Sequence, residues 1–154
     1  MPEYNQYCVD DILGENCERL FILESPHTKE IQLKIPASGS SGLVMAKELF
    51  NSSTPLGIAI KNGKINGIGI MNAVQFPLDE KVYQTVPDEI NSYMSIKKLK
   101  YFGNQYKEDI KDKVIEIDTF KTVKNFSERL ERVITDKKCV EIVVCGFISQ
   151  AYME

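Results

Sequence analysis

The sequence predicts a single three-layer α/β domain, with a central, mostly parallel four-stranded sheet flanked by helices. Three observations carry this expectation. Apolar runs too short for helices recur at 20–23, 68–71 and 139–145, each ending in a polar or turn-forming residue. Between such runs lie stretches with helical spacing, as at Phe126, Leu130, Val133 and Ile134. Strands that alternate with helices join into a parallel sheet through right-handed crossovers. No internal repeat or low-complexity linker divides the 154 residues, so 1–154 reads as one domain.

Taken in order, residues 1–18 suggest a short helix ending near Gly14, built on Tyr4, Tyr7, Val9, Ile12 and Leu13. Leu20 to Leu23 reads as a buried strand, and Pro26, which cannot donate to a sheet ladder, marks where the chain leaves the sheet. From Ser41 the pattern turns helical, with Leu43, Ala46 and Phe50 on one face and Ser40 or Ser41 as N-cap. Pro55 helps to stop that helix, and 56–60 fits either a helical turn or a strand. A second strand covers 68–71 and ends at Asn72, with Gly69 implying a close approach. Pro87 opens a helix carrying Ile90, Tyr93, Met94 and Lys97. A short alternating strand is expected at 114–118, the amphipathic helix at 126–134, and a further buried strand at 139–145. One partial helix, 147–153, would leave such a sheet unfinished, so a C-terminal end truncated within the domain is expected.

Composition narrows the class of protein. Apolar residues make up 43% of the chain and charged residues 27%, a globular balance. No apolar run approaches the roughly 20 residues that span a bilayer. Residues 1–11 lack a basic segment followed by an apolar core, which makes the cytoplasm the default compartment. Cys8, Cys17, Cys139 and Cys145 show no metal-type spacing. No metal or other cofactor is expected, and Cys139 and Cys145 read as small buried hydrophobes. The net charge of −3 argues against indiscriminate nucleic-acid binding. Lys97, Lys98, Lys100 and Lys107 nevertheless form a local basic segment, which can bind phosphate whatever the total charge.

Candidate chemistry gathers between Arg19 and Phe50. Glu24 follows a strand, where ligands of α/β proteins tend to sit. It could serve as a general base or cap the neighbouring turn. His27, the only histidine, could donate a proton, bind phosphate, or be a surface residue satisfied by backbone. Gly39, Ser40, Ser41 and Gly42 precede a helix and offer N–H groups to an anion, without the Gly-Lys-Ser/Thr of a Walker loop. Asn72 has the paired donor and acceptor suited to a base edge, and equally suits a turn. Lys97, Lys98 and Lys100, with Tyr101, Phe102 and Tyr106, fit either a nucleic-acid strand or a solvated helix face.

In order, these blocks resemble the uracil-DNA glycosylase superfamily. Its iron–sulfur-type branch begins with Gly-Glu-Ala-Pro-Gly, then an acidic residue, then Pro-Phe-x-Gly-x-Ser-Gly. Here Leu23-Glu24-Ser25-Pro26-His27 is followed by Glu30 and by Pro36-Ala37-Ser38-Gly39-Ser40-Ser41-Gly42. The family's next strand ends in asparagine, as Asn72 does here, and its later strand ends in glycine, as at Gly146. The resemblance implies hydrolysis of the N-glycosidic bond of a damaged or deaminated base in DNA, in base-excision repair. It implies that Glu24 orients water or stabilises the sugar cation and that Asn72 reads the base edge. His27 stands where the motif has its last glycine and is a catalytic candidate on its own chemistry, with Ser25 and Pro26 beside it as base-binding candidates. Gly39, Ser40, Ser41 and Gly42 would hold a DNA phosphate. The runner-up reading is a non-catalytic nucleic-acid or nucleotide-binding module on the same fold.

The departures are specific. Ala37 stands where the family has a phenylalanine that stacks on the base, and Phe76 where it has a cysteine. An iron–sulfur cluster is therefore not expected. No histidine follows His27, so the family's His-Pro-Ser-type loop has no counterpart in the chain. Loss of one such charge-stabilising donor costs about 2.7–4 kcal/mol.

Overall fold

Leu20, Phe21 and Ile22 alternate between two buried surfaces, and this alternation sets the architecture. The computed structural model describes residues 6–99, 106–118, 121–137 and 141–153. Its elements are β1 (Ile12–Leu13), β2 (Arg19–Leu23), α1 (Thr28–Leu33), α2 (Ser40–Phe50), α3 (Leu56–Lys61) and β3 (Ile68–Asn72). There follow two 3₁₀ turns (Glu80–Val82 and Asp88–Tyr93), α4 (Met94–Leu99), α5 (Tyr106–Ile117), α6 (Thr122–Lys137), β4 (Glu141–Val144) and α7 (Phe147–Met153). The class is α/β, with a four-stranded open sheet in the order β1-β3-β2-β4.

β2 lies between two parallel neighbours, with Leu23 opposite Asn72 of β3 and Ile22 opposite Val144 of β4. β1 pairs antiparallel to β3, so the sheet is mixed rather than mostly parallel as expected. The reason is local. Only residues 14–18 join β1 to β2, far too few for the crossover that parallel strands require, so the chain reverses there. Gly14 lies against β3, its N–H donating to the Ile68 carbonyl at 2.9 Å.

Leu20 and Ile22 of β2, with Met71 of β3, share a core with Ile96, Ile110, Phe126 and Ile148 from α4 to α7. Phe21, with Ile68 and Ile70, packs against Ala46 of α2 and Leu56 and Ile60 of α3. The close approach expected at Gly69 is present, since a Cβ there would lie 2.7 Å from Leu13 Cδ2.

Further expectations are corrected. Within the described residues 6–18 the expected N-terminal helix gives way to β1 at Ile12–Leu13, and Tyr4 lies outside the described residues. The expected strand at 114–118 is mostly the last turn of α5. Val-Ile-Glu-Ile alternates over four residues, but Ile110, Val114 and Ile117 repeat at helical spacing and are buried, while Ile115 is 70% exposed. The strand expected to be buried at 139–145 is β4 (Glu141–Val144), partly exposed, with β2 as its one neighbour among the described residues. Cys145 is correspondingly half-buried, and Cys139 lies outside the described residues. The N-cap of α2 is Gly39, not Ser40 or Ser41. Among the described residues no helix is long and apolar enough to cross a membrane.

Candidate functional site

A cleft of about 780 Å³ opens at the carboxyl ends of β2 and β4. Phe21 and Leu23 of β2, with Val143 and Cys145, supply its apolar sheet side. The start of α2 supplies Gly39, Ser40, Ser41 and Gly42, and the β2–α1 loop supplies Glu24, Ser25 and His27. Lys97 of α4 reaches it from the far side of the sequence. Eight of the expected site residues are thus brought together in one place.

The others fall elsewhere. Pro26 is buried and Asn72 is only 1% exposed; neither lines the cleft. Of Lys98 only the α4 backbone is described, and Lys100, Tyr101 and Phe102 lie outside the described residues.

Glu24 touches the turn between β4 and α7. Its Oε2 accepts from the Ile148 N–H at 2.9 Å, so of its two possible roles the capping one is realised in the geometry. Gly146 makes this possible: its φ is +89°, and a Cβ would lie 2.6 Å from the Glu24 carboxyl carbon. The carboxylate is therefore oriented from two sides while still facing the cleft.

The loop that carries His27 and Ala37 is held by Glu30, a buried carboxylate on α1. Glu30 Oε2 accepts from the His27 N–H at 2.9 Å, and Oε1 from the Ala37 N–H at 2.8 Å. The Ala37 carbonyl in turn accepts from the Gly57 N–H at 2.9 Å. Ala37 sits at φ +52°, in the left-handed region, and a Cβ on Gly42 would lie 1.8 Å from its carbonyl oxygen. The α2 N-terminus thus packs directly on this loop, and only glycine at 42 allows it. Ala37 therefore presents only a methyl group in a tightly packed turn.

Asp79 was not singled out by the sequence. Lys97 Nζ donates to Asp79 Oδ2 at 2.6 Å, and Asp79 Oδ1 accepts from the Lys81 N–H at 3.0 Å. The Lys97 hydrogen bond is the main reason its carboxyl lies below the usual range, and the charge of nearby His27 acts in the same direction. His27 and Lys97, 70 residues apart, both line the cleft. Burial pushes the Cys145 thiol up, and the Glu24 charge adds to it.

Arg129 was also missed, although a signal existed: it lies on the apolar face of α6, between Phe126 and Val133. Its side chain is buried and bonds Asp11 and the end of β3. Burial raises the Asp11 carboxyl above its usual value, with the Arg129 charge and hydrogen bond acting the other way. Among the described residues no group of three or more His, Cys, Asp and Glu side chains converges as a metal site. Comparison with protein-family models, curated proteins and solved structures finds no match for the chain.

Proposed function

We propose that this chain is a divergent uracil-DNA glycosylase-like protein that hydrolyses the N-glycosidic bond of a damaged or deaminated base in DNA. One observation carries the reading. The cleft at the ends of β2 and β4 collects the carboxylate of Glu24, the His27 loop and the start of α2, the blocks on which the family resemblance rests. Two apolar cores, one on each sheet face, support a three-layer domain around that cleft.

Bond breaking leaves positive charge on the sugar and negative charge on the departing base. The Glu24 carboxylate, held by the Ile148 N–H, would stabilise that cation or orient the attacking water. The first N–H groups of α2, with Ser40 and Ser41, would receive a phosphate. Extruding the base costs a few kcal/mol, least for a mismatched or single-stranded base. Lys97 would meet the DNA backbone at the same cleft.

Release of free base from uracil-containing DNA tests this directly. Glu24→Gln keeps an acceptor for the Ile148 N–H and removes the charge, so it should lower release by about 10²–10⁴-fold with little loss of stability. The engagement of Glu24 by α7 also favours a second reading, a nucleic-acid-binding module in which this carboxylate is structural. Salt-dependent DNA binding with no base release in the wild type would select that reading.

A further inference from the structure

We propose that Arg129 is a positioning residue that fixes Asn72 for recognition of a nucleobase edge, by clamping the carbonyl groups at the end of β3. Its functional half rests on the glycosylase-like reading of Asn72, whereas its geometric half does not.

The guanidinium is 7% exposed and its donors are distributed among three parts of the fold. Nε donates to Asn125 Oδ1 at 2.8 Å within α6, and Nη1 to Asp11 Oδ1 at 2.7 Å just before β1. Nη2 donates to both the Asn72 and the Ala73 carbonyls, each at 3.0 Å. The group also lies 5.8 Å from the centre of the Phe126 ring. Two consecutive carbonyls held by one nitrogen of a rigid plane fix the peptide units on either side of Ala73. On the β2 side the Ala73 N–H donates to the Leu23 carbonyl at 2.8 Å and the Val74 N–H to the Glu24 carbonyl at 3.1 Å. The segment is therefore gripped from both edges, and one grip leads to the backbone of Glu24.

What is held so firmly is a residue with unused hydrogen-bonding capacity. Asn72 Oδ1 and Nδ2 are buried and have no hydrogen-bond partner among the described residues. A buried amide left in that state costs about 1–3 kcal/mol, which a purely structural position would avoid by carrying an apolar residue. Alternation along β3 puts Asn72 on the sheet face of Ile68 and Ile70; Asn72 itself does not line the cleft, but Leu23, opposite it in β2, does. An amide presents one donor and one acceptor side by side, which matches the imide edge of an oxidised or deaminated pyrimidine. Reading such an edge depends on placement, because a shifted amide pairs as well with the wrong base. Lysine could not substitute for Arg129, since an ammonium has no planar fork to span these acceptors.

The test compares the whole chain with Arg129→Lys and with Asp11→Asn, which retains the guanidinium and an acceptor for Nη1 but removes the counter-charge. The first readout needs no ligand. The Asn72 side-chain amide resonance, assigned by its loss in Asn72→Asp, should shift or broaden in both variants. The second readout is the ratio of uracil to cytosine release from otherwise identical DNA, expected to fall at least about 10-fold in Arg129→Lys while DNA affinity stays within about twofold. A merely structural arginine would lower both releases in parallel as the folded fraction fell, and that result overturns the proposal. So does an Asn72 resonance unmoved in every variant that folds. A moved resonance in a protein whose wild type releases no base supports the positioning role and overturns the glycosylase reading instead.

Discussion

At the scale of single residues, the candidate site is assembled by carboxylates with different duties. Glu24 faces the cleft and caps α7, whereas Glu30 is wholly given to two backbone N–H groups. Glu30→Ala would leave the His27 and Ala37 N–H groups unpaired in a loop that also holds the left-handed Ala37. A loss of about 3 kcal/mol is expected, read as a lower urea midpoint with an unchanged m-value. The motif spacing made Glu30 visible as an acidic position, but its service to the backbone depends on where residue 37 returns. The role of Ala37 as the tight packing partner of Gly42 was not legible in the sequence.

At the scale of elements, the α4 contribution to the cleft depends on Asp79, which caps the first 3₁₀ turn and receives Lys97. The folded carboxyl titrates below its ordinary value of 3.8, so the unfolded chain binds the proton first as pH falls. The stabilisation is present above about pH 4 and is lost as pH drops through the folded value. Asp79→Asn should therefore flatten the acid limb of a melting-temperature profile, leaving the difference from wild type largest near neutrality and smallest at the lowest pH. The α5 helix gives a second test at this scale. Ile110→Ala should cost about 3 kcal/mol, while Ile115→Lys on the exposed side should change stability by no more than about 0.5 kcal/mol. A strand at 114–118 would instead pair residues 115 and 117 on one face, and equal sensitivity at those two positions would contradict the helix.

At the scale of the whole molecule, the long-range ties converge on the ends of the central strands. Asp11, β3 and α6 meet at Arg129, while the ends of β2, β4 and α7 meet at Glu24. Asp11→Ala would leave the Arg129 guanidinium buried without its counter-charge and should cost about 3–5 kcal/mol. Thermal unfolding followed by circular dichroism would register it as a clear drop in melting temperature. The loss belongs to this scale because it loosens the N-terminal segment from two distant elements at once.

Period and punctuation were enough for the core of the architecture. Leu20–Leu23, the strand before Asn72, the helix after Gly39 and the amphipathic helix around Phe126 all follow from local apolar patterns that no tertiary context reverses. The Glu24 to Gly42 blocks were likewise legible, because a loop after a strand and glycines before a helix have local conformational causes. Only the fold decided the rest. Four alternating residues at 114–117 are compatible with strand or helix, and the packing of Ile110, Val114 and Ile117 into the core shared with α4 and α7 chose helix. β1 is two residues long and exists because β3 offers it an edge, not because its sequence demands a strand. The meeting of Glu24 with Ile148, of Lys97 with Asp79 and of Arg129 with Asn72 joins positions 124, 18 and 57 residues apart. Hydrogen bonds of that kind have no local signature, since their geometry is set by how the crossovers bring strand ends and helix starts together.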